Sequence, residues 1–317
     1  MKAEPGSDAL AAILAGERRA LARAMSAVEN ETAAGKALLH ALQPHLGRAR
    51  VIGITGPPGA GKSTLVNALI GAWLARGASV GVVAVDPSSP FSGGAILGDR
   101  IRMAEHQAHE RVFIRSLASR GHGGGLSRTA ARVVDLLDAA GYDQIMLETV
   151  GAGQSEVEVA EIADTRVVVC PPGLGDEVQA LKAGILEIAD ILVVNKCDLP
   201  FAERTERELQ GMLSLRHYEL WTPQVVRTSA TSGAGVPALV DLIERHGAVC
   251  ASQRRSHSGR VRRMIAASAA DFVKRRVETM AGAEIEQLCA LVQSGELDYA
   301  SADLRAIELA LRPENKS

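Results

Sequence analysis

The run Val51-Ile52-Gly53-Ile54-Thr55 leads straight into Gly56-Pro57-Pro58-Gly59-Ala60-Gly61-Lys62-Ser63, and Thr64-Leu65-Val66 continues in a helical pattern. An apolar strand, a turn of the form G-x-x-x-x-G-K-[ST] and a helix start, in that order, point to a parallel α/β sheet with a polyphosphate cradle at the end of one strand. The glycines let successive backbone N–H groups turn toward one point, and the helix N-terminus adds its partial positive charge. Gly56, Pro57, Pro58, Gly59, Ala60, Gly61, Lys62, Ser63 and Thr64 are therefore expected to line the cradle. Lys62 is expected on the β- and γ-phosphates, and the Ser63 hydroxyl on Mg²⁺.

The rest of the chain fits that frame. Short β-branched runs alternate with longer helical segments from Val51 onward, the pattern of βαβ units. Strands are expected at Val51–Thr55, Val80–Val85, Val112–Arg115, Gln144–Leu147, Arg166–Val169, Ile191–Val194 and Val225–Thr228. Helices are expected at 61–76, 99–108, 126–140, 155–163, 177–189, 203–216 and 236–246. Residues 8–46 are Ala-rich, with apolar groups at Leu10, Ile13, Leu14, Leu21, Met25 and Val28, and fit one or two amphipathic helices. Residues 248–259 read as a polar linker, and 260–311 as helix that cannot extend the sheet. The expected organisation is a helical extension over 1–46, a Rossmann-like P-loop domain with a mostly parallel sheet over 47–250, and a helical segment over 251–317.

Composition agrees. Of 317 residues 47% are hydrophobic but only 3% aromatic, so the core must be built from Ala, Val, Leu and Ile, which suits buried parallel strands. With 35 basic against 37 acidic residues, no electrostatic case exists for nucleic acid or an anionic membrane as partner. The four cysteines, Cys170, Cys197, Cys250 and Cys289, show no close pair of the zinc or redox kind. No apolar run reaches the roughly 20 residues that span a bilayer, and the first residues carry Glu4 and Asp8 rather than a basic stretch and an apolar one. A soluble, cytoplasmic protein is expected.

The base specificity comes from Val193-Val194-Asn195-Lys196-Cys197-Asp198, an N-K-x-D directly after a buried strand. The Asp198 carboxylate can accept from guanine N1–H and its 2-amino group; adenine would leave it unpaired. Asn195 and Lys196 would support the loop and cover the ring. In Thr228-Ser229-Ala230-Thr231, after the next strand, a backbone N–H can donate to guanine O6.

Asp86 ends the second strand and Glu148 the fourth, in Leu147-Glu148-Thr149-Val150-Gly151, so both carboxylates should emerge beside the cradle. With Asp99 they are the candidate acids around Mg²⁺, each with a helix cap or surface charge as its plainer alternative. Gly151 is placed to offer its N–H to the γ-phosphate, and Gln154 could orient the attacking water or equally cap the next helix. No arginine stands out as a finger, so slow intrinsic hydrolysis is expected.

Gly56 to Ser63, Asp86-Pro87-Ser88-Ser89-Pro90, the run Ser92 to Arg100, Ser119-Arg120-Gly121-His122, Glu148-Thr149-Val150-Gly151-Ala152-Gly153-Gln154-Ser155-Glu156 and Asn195 to Asp198 together resemble the MeaB/ArgK family of P-loop GTPases over nearly the whole chain. The resemblance implies a GTPase chaperone of an adenosylcobalamin-dependent acyl-CoA mutase, gating cofactor delivery and protecting or rescuing the mutase. It implies a homodimer joined through C-terminal helices, here about 260–317. It also implies Asp86, Asp99 and Glu148 as the acids around Mg²⁺, and Pro171 to Gln179 as a further switch loop facing the mutase. Pro171, Leu174 and Gly123 depart from the family's usual pattern. Two other readings stay open at this level: a small-molecule kinase linked to amino-acid transport, which Asp198 argues against if ATP is the donor, and a metallochaperone GTPase, weakened by eight scattered histidines and no cysteine pair.

Overall fold

The computed structural model describes residues 5–86, 103–118, 125–149, 162–173, 188–215, 217–252, 257–280 and 283–312. All seven expected strands form: β1 Arg50–Thr55, β2 Val80–Asp86, β3 Val112–Ala118, β4 Gln144–Thr149, β5 Thr165–Cys170, β6 Ile191–Val194 and β7 Gln224–Arg227. They build one sheet in the order β3-β2-β4-β1-β5-β6-β7, and every pairing is parallel. β1 is central, with the β2 and β3 branch on one side and β5 to β7 on the other. Its C-terminal end is thus where the chain connections diverge, the place at which sheets of this kind bind ligands.

The described helices are α1 Pro5–Leu14, α2 Arg18–Glu29, α3 Ala33–Leu42, α4 Lys62–Ala75, α5 Gly125–Ala139, α6 Ala202–Ser214, α7 Val236–Ser252, α8 His257–Thr279, α9 Ala283–Gln293 and α10 Tyr299–Leu311. Strand alternation sorts the core onto two faces. Ile52, Ile54, Val167, Val169, Ile191 and Val193 meet α4 and α7, where Leu65, Leu69, Trp73, Leu239 and Ile243 are buried. Val168, Cys170, Leu192 and Val194 pack on the other face against Leu209 of α6. α5 covers β2 and β4 on that second face, with α2 and α3 packed on it in turn.

The N-terminal segment forms three helices where one or two were expected. Gly16 at φ +75° breaks the first from the second, and the Thr32 hydroxyl caps the third by accepting from Gly35 N–H at 3.0 Å. The chain then enters the sheet through a carboxylate clamp. Asp138 on α5 accepts from the main-chain N–H groups of Gly47, Arg48 and Ala49 at 2.6, 3.0 and 2.9 Å.

The expected linker over 248–259 is in part a helix: α7 continues through Ser252, six residues past its expected end at 246, and α8 starts at His257. Ala248, Val249, Cys250 and Ala251 have nothing against helix, and a polar tail alone did not stop it. The expected helix at 99–108 shows only a 3-10 turn, Ala104–His106, in its described part. Those at 155–163 and 177–189 lie almost wholly outside the described residues. The chain divides into two compact units, Met1–Val261 and Arg262–Ser317. In the second, Arg312 pairs with Glu284 at 2.9 Å and Leu288, Ala302 and Ala310 are buried.

At the end of the sheet opposite β1's C-terminus, Asp190 is buried in a polar knot. Arg166 donates to it three times, from its main-chain N–H and Nε at 2.9 Å each and from Nη2 at 2.8 Å. His246 of α7 lies with Nε2 3.4 Å from the same carboxylate and its Nδ1 2.8 Å from Thr165 Oγ1. Burial alone would raise the Asp190 pKa, but hydrogen bonds from His246 and Arg166 outweigh it and hold the carboxyl well below the usual carboxylate range. A group depressed on folding stabilises fully above its unfolded pKa, about 3.9, and that stabilisation drains as the pH falls toward the folded value. Asp190→Asn should therefore cost about 3 kcal/mol at neutral pH. The variant should also lose less midpoint than the parent between pH 5 and 3, both read by thermal unfolding; parallel acid profiles would remove the assignment.

Candidate functional site

β1 ends at Thr55 and the chain turns at Gly56, whose φ is +139° and where a Cβ would lie 2.1 Å from the Val169 carbonyl oxygen of β5. Only glycine fits a turn pressed that closely on the next strand. Gly61 is equally committed: its φ is +89°, and a Cβ would meet Asn195 Nδ2 at 2.5 Å. α4 then starts at Lys62 with no side chain capping it, so the main-chain donors of its first turn belong to the loop, the arrangement that binds anions. Pro58, Gly59 and Thr64 are exposed there, while Ala60, Lys62 and Ser63 are buried. Lys62 Nζ donates to Gly56 O at 2.7 Å and Pro57 O at 3.1 Å, which fixes the ammonium on the loop.

Ser63 and Glu148 meet across two elements. The Ser63 hydroxyl donates to Glu148 Oε1 at 2.6 Å, and both residues are buried, Glu148 completely. Register explains the meeting: β4 runs beside β1 with Glu148 opposite Ile54, so its side chain rises toward α4 just where that helix begins. A hydroxyl and a carboxylate are the hard oxygen donors that Mg²⁺ takes, in sites that keep one or two protein carboxylates and leave the rest to phosphate and water. Among the described residues no group of three or more His, Cys, Asp or Glu is gathered. The Asp86 backbone closes β2 in register with Ala118, but its side chain, like Asp99, Gly151 and Gln154, lies outside what is described.

Asn195 joins the second motif to the first. Its Nδ2 donates to Ala60 O at 2.9 Å, while its Oδ1 accepts from Thr228 Oγ1 and from Ala230 N–H, each at 3.1 Å. One amide at 1% exposure thus ties the phosphate turn, the N-K-x-D loop and the Ser229-Ala230-Thr231 loop together. Lys196 takes φ +58°, and Cys197 N–H donates to Thr228 O at 2.9 Å. The Ser229 and Ala234 main chains pair across the last loop. Asp198 is solvent-facing, and the Ser229 hydroxyl beside it, with its own main-chain N–H, holds its carboxyl below the usual range, so it is ionised at neutral pH. The Ala230 N–H that could reach a base oxygen is already engaged by Asn195, so a base would share that donor.

The structure therefore brings Gly56 to Thr64, Glu148, Asn195, Lys196, Asp198 and Ser229 to Thr231 to one end of the sheet. Three hydroxyls there had no role assigned from sequence: Thr55, read as the end of an apolar strand, and Thr149 and Thr228, which stand inside the quoted motifs as residues without a function of their own.

A doubly wound parallel sheet with a phosphate turn after its central strand, bound through Asn195 to a guanine-type loop, defines a P-loop GTPase, an enzyme that binds GTP and GDP and hydrolyses GTP. The chain belongs to the MeaB family: the family model described as methylmalonyl Co-A mutase-associated GTPase MeaB matches residues 21–284. Its relatives include a protein from Pyrococcus horikoshii named as a GTPase, 43% identical over 312 residues, covering 95% of this chain and 97% of that one. GTPase ArgK of Escherichia coli is 42% identical over 231 residues, 70% of each chain. The mouse mitochondrial methylmalonic aciduria type A homolog is 43% identical over 195 residues, 60% of this chain and 47% of that one. Among solved structures, the crystal structure of a protein named LAO/AO transport system kinase aligns with a TM-score of 0.74 at 27% identity, covering 97% of this chain and 98% of that one. No helix among the described residues is long and apolar enough to cross a membrane.

Proposed function

We propose that this GTPase serves as the chaperone of an adenosylcobalamin-dependent acyl-CoA mutase, gating cofactor loading and protecting or reactivating the mutase. The family match across residues 21–284 supports this most directly, and the mouse relative's name points the same way. In the site, Lys62 and the main-chain donors of Gly59 to Thr64 hold the phosphates, and Asp198 with the 229–231 loop holds guanine. Ser63 and Glu148, with Asp86 and Asp99, would hold Mg²⁺, which would supply charge neutralisation for phosphoryl transfer. The Ser63–Glu148 hydrogen bond at 2.6 Å is the observation that carries this assignment. Gly151 senses the γ-phosphate, Gln154 orients water, and the loop from Pro171 to Gln179 passes the nucleotide state to the mutase.

The segment 251–317 forms the homodimer arm; Ile265, Phe272, Leu304 and Leu311 expose apolar surface in its unit, which supports a partner surface there. The test is capture of purified cobalamin-dependent acyl-CoA mutases on the immobilised protein. Retention should differ at least about tenfold between a non-hydrolysable GTP analogue and GDP, a coupling of about 1.4 kcal/mol. Equal retention in both states, or none with methylmalonyl-, isobutyryl- and hydroxyisobutyryl-CoA mutases, would reject it. The structural relative's name, a transport system kinase, favours a second reading, phosphoryl transfer to a small acceptor. Label from [γ-³²P]GTP appearing on an amino acid rather than as inorganic phosphate would select that one.

A further inference from the structure

One residue beyond the last rung shared by β1 and β4, two hydroxyls meet. The strands run parallel with Ile54 opposite Glu148, so Thr55 and Thr149 are the next pair, and the Thr149 hydroxyl donates to Thr55 Oγ1 at 3.2 Å. Thr149 is completely buried and Thr55 nearly so. Alternation puts the pair on the sheet face opposite Glu148 and α4. Valine has the same shape and is the commonest residue at the buried strand positions of this sheet, so each hydroxyl carries a desolvation cost that, among the described residues, their mutual bond offsets.

The sequence neighbours of the two threonines give the bond its reach. Thr55 precedes Gly56, whose carbonyl accepts from Lys62 at 2.7 Å. Thr149 follows Glu148, which accepts from Ser63 at 2.6 Å. The hydroxyl pair thus joins β1 and β4 beside the phosphate turn and Glu148. We infer that Thr55 and Thr149 are positioning residues for GTP hydrolysis: their hydrogen bond sets the spacing of the ends of β1 and β4, and so the place of Glu148 relative to the phosphate turn. This rests on the assignment of Glu148 above. The spacing follows from atom size. Two oxygens sharing a proton sit at 3.2 Å, whereas two methyl carbons need about 3.5–4.0 Å, so a valine pair would hold the strand ends open by roughly half an ångström. Displacements of that order at a reacting centre lower rates by about tenfold or more.

The experiment separates spacing from stability, because a lone buried hydroxyl is costly while a matched apolar pair is not. Thr149→Val and Thr55→Val should each lower the thermal midpoint by roughly 3–8 °C, and the double variant should recover most of it. If the hydroxyls set the spacing, kcat for GTP stays about tenfold low in the double variant, with GDP affinity within about threefold of the parent. Thr149→Ser, which keeps the donor, should hydrolyse within about twofold of the parent. Parental kcat in the stable double variant would reduce the pair to a stability element and overturn the inference. Thr149→Ser failing as badly as Thr149→Val would do the same. Glu148→Gln distinguishes the two levels: its kcat should fall by at least about 10². Normal hydrolysis by Glu148→Gln would overturn the site assignment and this inference with it, whereas loss there alongside normal rates in the threonine variants overturns the spacing alone.

Discussion

Lys62→Ala is expected to weaken GTP binding by about 10²- to 10⁴-fold while leaving the fold intact. The side chain is 7% exposed, and its ammonium is fixed by two carbonyls of its own loop, at 2.7 and 3.1 Å. The rotamer entropy that weakens most surface lysine pairs has therefore already been given up on folding, and the charge meets phosphate without further ordering. Each charge-assisted bond contributes about 1.5–3 kcal/mol; contacts to both the β- and γ-phosphates give about 3–6 kcal/mol, the range stated. The competing explanation is a loosened loop. Gly56 loses the Lys62 bond to its carbonyl but stays packed against Val169, and Ala60 and Gly61 stay tied to Asn195, so loosening should be minor and the thermal midpoint should move little. Lys62→Arg should not rescue, since a planar guanidinium does not fit between two carbonyls placed for a compact ammonium. Calorimetric titration with GTP and Mg²⁺ decides it: affinity within threefold of the parent would remove the phosphate site.

Lys62 was legible because three signals coincided around it: a β-branched strand, a glycine pattern and a helix start. The strands were legible for a similar reason. Parallel strands buried on both faces read as unbroken apolar runs, and Val80 to Val85 or Ile191 to Val194 have no competing interpretation. Side chains joining remote segments left no such trace. Asn195 was visible as a motif letter, but its bond to Ala60, 135 positions away, depends on β1 and β6 being separated by one strand only, which is a property of topology. Asp138 read as one more polar residue on an amphipathic helix; its clamp on Gly47 to Ala49 exists because α5 lies against the entry to β1. Thr55 and Thr149 were hidden by shape, since threonine and valine are interchangeable in a β pattern. The end of α7 was misjudged because polarity was taken as a stop signal in a stretch lacking proline and with no glycine after Gly247 until Gly259.

Asp198→Asn is expected to turn the preference of the protein from guanine to xanthine nucleotides. The carboxylate is ionised, exposed and braced by Ser229, on a loop whose backbone is held by Asn195 and Thr228 rather than by Asp198 itself. It presents two acceptors to the two donors of the guanine edge, N1–H and the 2-amino group. An asparagine presents one acceptor and one donor, so the 2-amino group of guanine meets another donor, while the 2-carbonyl of xanthine meets a partner. Replacing one charge-assisted bond by a neutral one and the other by a donor facing a donor should weaken GTP by about 10²-fold, with solvent access keeping the loss from growing further. Xanthosine triphosphate should gain over the parent by a comparable factor, and ATP should gain nothing, because its 6-amino group finds no new partner at this position. Competition titrations of the three nucleotides read the inversion directly, and an unchanged thermal midpoint shows that the loop has kept its conformation. If the variant still chose GTP over xanthosine triphosphate, Asp198 would not be the residue that reads the base, and specificity would have to come from the main chain of Ser229 to Thr231, which any purine with a 6-carbonyl satisfies equally.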